Sequence, residues 1–565
     1  MSRKNPYFWG LCMWGKSSNF ALDMSYIGGS RMPQNDKNHF ITYNKIQTLM
    51  KKIFLFAALG LAVMAQGAEL NSIKTLVDEQ ADASKGSTQI YSLEYAADGS
   101  LYLLNMYQTA SAEETGLVFE GKAYQGATAA KWGSKTGEQK YSNMRNSFLA
   151  KLDAEGNVLW AKADTTGDYD LANSALALTA DGGVIFADKF RTRKGVYMSF
   201  FNLYDANGAL VATNNMSFTN YDSIEVDGKK VARKEAFSWS GAAQDEDGFV
   251  YIAGLQGDTL LPTWKDSIAP RKAWNTKGSL SSNCNTVILK YKPAYNAYMD
   301  LDYVGAVINN DELVYDKPLG LHYENGKLYV AGSYSNGTES GIYAAAYNTN
   351  LEREFIQYHP VGGNLQFQQT KFADGKIFIC GGLAKGSVTV GEKTLTAAGT
   401  MNNGLIYILD QATGAALDVA LLGKEKELHI TVAALPTDTG IIAYHYGPMG
   451  TSVALNYNEN LELVSVDTLA LGGGASTLTT VARNAEGNKT SIGLRAKTGS
   501  DFTILDAEPL DFTTTNWYCV IAELNSKGET QGIDDIQTGE KAVKFIQNGQ
   551  LFIRHNGKTY NVLGM

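Results

Sequence analysis

The chain is short of several things, and each shortage closes off a class of protein. It has four cysteines in 565 residues, too few and too scattered for a disulfide framework. Basic residues are outnumbered, 49 Lys and Arg against 58 Asp and Glu, so no basic excess exists to neutralise phosphates, and a nucleic-acid role is set aside. Uninterrupted helical periodicity is almost missing. So is any spacing that carries common catalytic chemistry. His322, His359, His429 and His445 stand isolated, with no H-x-H or H-E-x-x-H pair for a metal, and no G-x-S-x-G elbow holds a nucleophile. They read as structural histidines, and neither metal nor cofactor is expected. Asp245-Glu246-Asp247-Gly248 lacks the later bidentate Glu of a calcium loop and reads as a turn.

What is abundant is turn and strand chemistry. Fifty-seven glycines, thirty-one tyrosines and short runs of alternating apolar residues point to an all-β protein with many tight turns. Cys284, Cys380 and Cys519 lie on or beside apolar strands in different parts of the chain and are expected to be buried small hydrophobes. Cys12 falls in a segment expected to be removed.

Residues 50–68, MKKIFLFAALGLAVMAQGA, combine two lysines, an apolar run from 53 to 64 and small residues after it. That is the layout of a secretory signal peptide, and the run is too short for a comfortable transmembrane helix. Because such a leader works at an N-terminus, residues 1–49 read as an over-extended start, the alternative being a true N-terminal tail. No cysteine follows to accept lipid, so a free exported chain is expected, delivered to the extracellular or outer-membrane surface.

From about residue 85 to 533 one unit recurs seven times. Its fullest statement is NSFLAKLDAEGNVLWAKA at 146–163, a hairpin turning at Asp153 to Asn157. Each unit opens with a turn at Asp98-Gly99, Asp181-Gly182, Asp247-Gly248, Asn325-Gly326, Asp374-Gly375, Thr439-Gly440 or Glu486-Gly487. The strand that follows reads VYIAG, LYVAG or IFICG, with LYLLN, VIFAD, IIAYH and TSIGL as looser copies. A second hairpin comes after each. Two hairpins per unit give four antiparallel strands, and the spacing predicts a seven-bladed β-propeller over residues 69–533. The seventh unit runs out into a poor strand after Lys527-Gly528, which would leave an unpaired edge. Residues 70–77 alternate suitably and are expected to pair there, beside the strand near Tyr518 to Leu524.

NSFLAKLDAEGNVLWAKA, DEDGFVYIAG and VTVGEKTLTAAGTMNNGLIYILD (388–410) resemble the seven-bladed propeller repeats often called SBBP repeats, a family that implies a scaffold and a binding surface rather than a chemistry. Trp160 has no counterpart Trp in the other six units. The last residues, 534–565, hold three short alternating strands with turns at Asn548-Gly549 and Asn556-Gly557. With YNVLG after QLFI, this small C-terminal β module is similar to type IX secretion sorting domains, which implies recognition by secretion machinery.

In a four-stranded meander the connections between strands two and three lie on the same face as the links between blades. These connections are long in units one, three, five and seven, and they carry Tyr107, Tyr124, Trp132, Tyr141, Trp264, Trp274 and Phe512. The aromatics are the candidate binding residues, suited to stacking on sugar rings or anchoring a protein; the competing reading packs them down as small cores under the loops. The sequence thus points to an exported non-enzymatic propeller that takes a glycan or protein partner at the bacterial cell surface. The alternative is a polysaccharide or peptide hydrolase or lyase with its site on the axis. A quinone-cofactor propeller is suggested only by Val158-Leu159-Trp160.

Overall fold

The computed structural model describes residues 69–525 apart from loop segments, the longest being 262–283, together with the backbone of three strands between residues 543 and 561. Residues 1–68, which include the whole of the expected leader, lie outside the described residues. Among the described residues all regular structure is strand. The fold is seven antiparallel sheets with a four-stranded core each, taken up in chain order. Blade 4 is the plainest, built from Tyr315–Glu324, Lys327–Ser335, Ser340–Asn348 and Arg353–Pro360.

The first strands of the blades are Thr88–Tyr95, Ala175–Leu178, Phe237–Gln244, Tyr315–Glu324, Asn364–Ala373, Ile430–Thr437 and Thr477–Arg483. Each touches the next, and the last touches the first. They therefore line the axis of a closed ring. Second and third strands are apolar on both faces because both faces are covered by neighbouring blades; Val250–Gln256 and Leu328 to Ala331 are buried throughout.

The fifth letter of the VYIAG motif has a specific cause. Most first strands carry a β-bulge, and this letter pairs with the residue just before it: Trp239↔Gly254, Pro318↔Gly332, Phe367↔Gly381. A bulge brings backbone close to its partner. A Cβ at Gly381 would lie 1.9 Å from the Gln366 carbonyl oxygen, so glycine is required there. In three of the four looser copies the same position holds Asn105, Asp188 and His445, and in the fourth it holds the apolar Leu494. The first three are buried polar side chains held by hydrogen bonds, to Thr88, Ser147 and His429 respectively.

The outer turns lock adjacent blades. Gly208 of blade 2 and Gly414 of blade 5 stand where a Cβ would run into the Trp160 ring of blade 1 or the Phe355 ring of blade 4. Trp160 also donates its indole N–H to the Ala206 carbonyl at 3.0 Å. Trp160 thus has a packing role between blades 1 and 2, and Phe355 is its counterpart. Where no aromatic covers the turn, Leu351 and Leu461 occupy the left-handed position themselves and pack into the neighbouring inter-blade clusters.

The ring closes as the strand count requires. Glu69–Glu79 pairs antiparallel with Trp517–Asn525, from Leu70↔Leu524 to Val77↔Tyr518. It is the fourth strand of blade 7, supplied by the chain's other end. Leu76 is fully buried against Phe119, Cys519 and Ile521. Glu523 accepts from Asn71 and, at 3.2 Å, from the Tyr95 hydroxyl.

The long connections of the odd blades reach back to the preceding blade. Gly116–Phe119 from blade 1 pairs with the closing strand, Leu260–Leu261 from blade 3 with Leu210–Phe218 of blade 2, and Phe502–Ile504 from blade 7 with Leu463–Gly472 of blade 6. In blade 5 the hairpin Ser387–Val390 and Lys393–Thr396 reaches blade 4 through a Val361↔Val388 bridge. Each arm brings buried apolar side chains, among them Phe119, Leu260, Val388 and Phe502. These stretches of the long loops are structural straps, covering outer edges that would otherwise be left unpaired.

Candidate functional site

The straps change the standing of the loop aromatics. Tyr107 lies inside Leu101–Thr109 and is fully buried, because the second strand of blade 1 runs further than its sequence suggests. Tyr124 sits at the end of the first strap and packs edge-on against Phe148 at 4.8 Å. Tyr107 is a core residue, and Tyr124 is half-buried against that core. Trp132 falls in a two-residue strand, Trp132–Gly133, whose backbone alone is described. Tyr141, Trp264, Trp274 and Phe512 lie outside the described residues.

Across the axis, the innermost strands reach one another through polar side chains. Lys371 of blade 5 pairs with Glu94 of blade 1 at 3.2 Å, and Gln369 of blade 5 donates to Thr480 of blade 7 at 2.6 Å. These groups are spent on bridging the channel. The Asp245 turn behaves as an ordinary hairpin turn: its carboxylate accepts from the Phe249 N–H and the Tyr251 hydroxyl, both at 2.8 Å. Asp316 is fully buried where blades 3 and 4 meet. Burial pushes its carboxyl up to about 6, while amide donors from Asn285 and Asn309, at 2.9 and 3.0 Å, pull the other way. The three described cysteines are buried thiols in no disulfide. Burial raises the Cys380 thiol far above its ordinary range, so it is not a nucleophile.

Two histidines read as isolated do meet. His429 precedes the first strand of blade 6, His445 is the last residue but one of the second, and their rings stack with Nδ1 of His429 at 3.0 Å from Nε2 of His445. Glu427 accepts from His429 Nε2–H at 3.1 Å, His429 Nδ1 and His445 Nε2 share a hydrogen bond whose direction follows the tautomers, and His445 Nδ1 faces the Thr431 hydroxyl at 3.5 Å. Burial first, and the neighbouring imidazole second, depress His445 to about 3, so it stays neutral at ordinary pH. Gly404 makes room: a Cβ there would lie 2.7 Å from both the His445 ring and the Thr431 hydroxyl. With both nitrogens of each ring facing a polar partner, the two rings are held in place at this end of blade 6. His322, stacked on Phe372, and His359, bonded to the Gly414 carbonyl at 2.8 Å, serve packing.

Around His429 the surface is amphipathic. Its backbone N–H donates to the Asn402 carbonyl at 2.9 Å, and the Asn402 side chain donates to Gln366 at 2.6 Å. Beside these amides stand Met401 and Leu428, 40% and 38% exposed. The patch therefore joins the start of the innermost strand of blade 5, its second-to-third connection and the link into blade 6, all at the loop-bearing end. Exposed apolar side chains, hydrogen-bonded amides and an imidazole lie side by side there, a chemistry suited to a ligand with a flat apolar face and a polar rim.

No protein-family profile matches the sequence, and no curated protein does. Among solved structures it is similar to the Dos1 propeller, with 10% identity and a TM-score of 0.35 over 79% of this chain and 95% of that one. It is also similar to the polysaccharide lyase Uly1, at 9% and 0.36 over 81% and 99%. A Dyadobacter fermentans protein of unknown function matches at 8% and 0.33 over 81% and 99%. Likeness this remote says nothing of ligand or chemistry, and the blade count rests on strand pairing. The chain is an all-β, seven-bladed propeller closed by its own N-terminal strand.

Proposed function

We propose that the protein is an exported, non-enzymatic propeller that holds a glycan at the bacterial cell surface, using the patch between blades 5 and 6. The observation that carries this reading is the side-by-side placement of exposed Met401 and Leu428 with Gln366, Asn402 and the locked His429 ring. A sugar ring offers an apolar face and a rim of hydroxyls that both donate and accept. Neutral amides match that rim, whereas a charged ligand would call for paired ions. The enzyme alternative needs a free acid and base near the axis, and among the described residues Glu94 and Lys371 there hold each other in an ion pair.

Two measurements separate these readings. Soluble glycans and polysaccharides screened for binding should include a retained one, and the same incubations should release no reducing ends. Release of reducing ends would favour the enzyme, and retention of none would remove the glycan reading.

Export is part of the proposal. The C-terminal strands Val543–Gln547, Gln550–His555 and Lys558–Asn561 pair in sequence as an antiparallel sheet, which suits a separate sorting module. Deleting residues 538–565 is expected to leave the propeller's melting midpoint unchanged and to trap the chain in the periplasm. Unchanged surface delivery of the truncated chain would contradict a sorting role.

A further inference from the structure

The innermost strand of blade 5, Asn364–Ala373, carries a run of amides from the loop-bearing end down the axis. Asn364, Gln366 and Gln368 are exposed, while Leu365 and Phe367 between them pack into the cluster shared with blade 4. Alternation therefore turns Asn364 and Gln366 to the side of blade 6. A bulge between Phe367 and Thr370 then sets Gln368 and Gln369 together across from Cys380, whose side chain belongs to the cluster between blades 5 and 6. Four amides thus lie on one side of a single strand. The second of them, Gln366, accepts from Asn402 and so belongs to the patch around His429.

The run ends on a closed floor. Gln369 donates to Thr480 of blade 7 at 2.6 Å, and further down Lys371 holds Glu94 of blade 1 at 3.2 Å, so side chains cross the channel at two levels. Strand rise puts the upper crossing no more than about 10 Å below Gln366. Gln369 Oε1 is buried there and, among the described residues, accepts no hydrogen bond. A buried acceptor without a donor is costly. Down to this level the innermost strands of blades 1, 5, 6 and 7 have no charged side chain, through residues 88–93, 364–369, 430–433 and 477–480.

We propose that the glycan is a neutral chain held by its end, the terminal sugar seated over the Gln369–Thr480 bridge and the following units leaving across Gln366, Asn402 and the exposed Met401 and Leu428. This rests on glycan binding at the patch between blades 5 and 6. A hydroxyl of the terminal sugar supplies the donor that Gln369 Oε1 lacks, and the amide of Gln368 can both donate to and accept from its neighbours. An internal segment of a polysaccharide has to enter and leave by the same mouth, because the crossing side chains close the way through. A chain end meets no such obstacle. A uronic acid carboxylate would be desolvated here among uncharged partners, so the channel selects neutral sugars.

The test is calorimetric titration of the full chain with hexasaccharides of cellulose, xylan, mannan, laminarin and starch, and with longer soluble fractions of the same polymers. For each sugar that binds, short and long chains alike should saturate at one protein per chain. Several proteins along each long chain would overturn end recognition while leaving a glycan at the patch. No binding by any of these neutral probes would overturn it as well, and the wider glycan screen then decides the patch on its own. A Gln369→Met variant keeps the side-chain length and removes the acceptor, and it should bind the hexasaccharide about three- to tenfold more weakly. Affinity equal to that of the wild type would contradict a terminal hydroxyl on Gln369.

Discussion

A chain beginning at residue 84 is expected to unfold far below one beginning at residue 69. The difference is one strand, Glu69–Glu79, but that strand lies between two others, hydrogen-bonded to Trp517–Asn525 on one side and Gly116–Phe119 on the other. Its loss opens two edges at once. It also uncovers Phe119, Cys519 and Ile521 and removes Leu76 and Val77, each worth about 1.5–3 kcal/mol by burial. Glu523, 8% exposed, loses its Asn71 partner. Together these exceed about 5 kcal/mol, a large part of the roughly 5–15 kcal/mol that holds an ordinary domain. The shortened chain should therefore fail to fold or melt much earlier, and a synthetic peptide of residues 69–79 should restore part of the loss. Equal melting midpoints would rule the closure out.

Gly381→Ala is expected to cost about 3 kcal/mol, the upper end of overpacking effects. The added methyl would meet the Gln366 carbonyl at 1.9 Å and the Phe367 Cα at 3.0 Å. These are backbone atoms, and no rotamer change can clear them. Gly305→Ala is the control: nothing lies within 4 Å of its would-be Cβ, and alanine suits a strand better than glycine. Chemical denaturation of both variants checks this, with a lowered midpoint for the first and an unchanged or raised one for the second. Equal midpoints would mean that the bulge relaxes and that the fifth motif letter is not fixed by sterics.

The blades were legible because their signal is local. Asp-Gly and Asn-Gly turns, with alternation on either side, fix each hairpin without reference to the rest of the chain. The closing strand was legible from a count that left one edge open. Where partners are remote, the sequence says less. Leu117 and Phe119 pair with a strand some forty residues earlier, and nothing in GLVF distinguishes a strap from a binding loop. Of the two readings open for Tyr107, a binding residue or a packed one, only the strand's full length decides, since it runs past the motif and carries Tyr107 into the core.

The histidine pair was hidden by a single residue. Counting back from the Thr437↔Gly440 pair sets His445 opposite Val432, on the face away from His429. A bulge between Thr431 and Ala433 moves it opposite Thr431 and onto the same face as His429. One signal could have raised the question: His445 fills the motif position that is glycine in blades 3, 4 and 5.

The central claim is that the patch between blades 5 and 6 holds the ligand. Its most direct test is calorimetric titration of the retained glycan into wild type and into Met401→Asp combined with Leu428→Asp. Both side chains are exposed, so the double variant should fold as the wild type does. The account predicts binding at least about tenfold weaker in the variant, ~1.4 kcal/mol or more. Unchanged affinity would place the ligand elsewhere and contradict it.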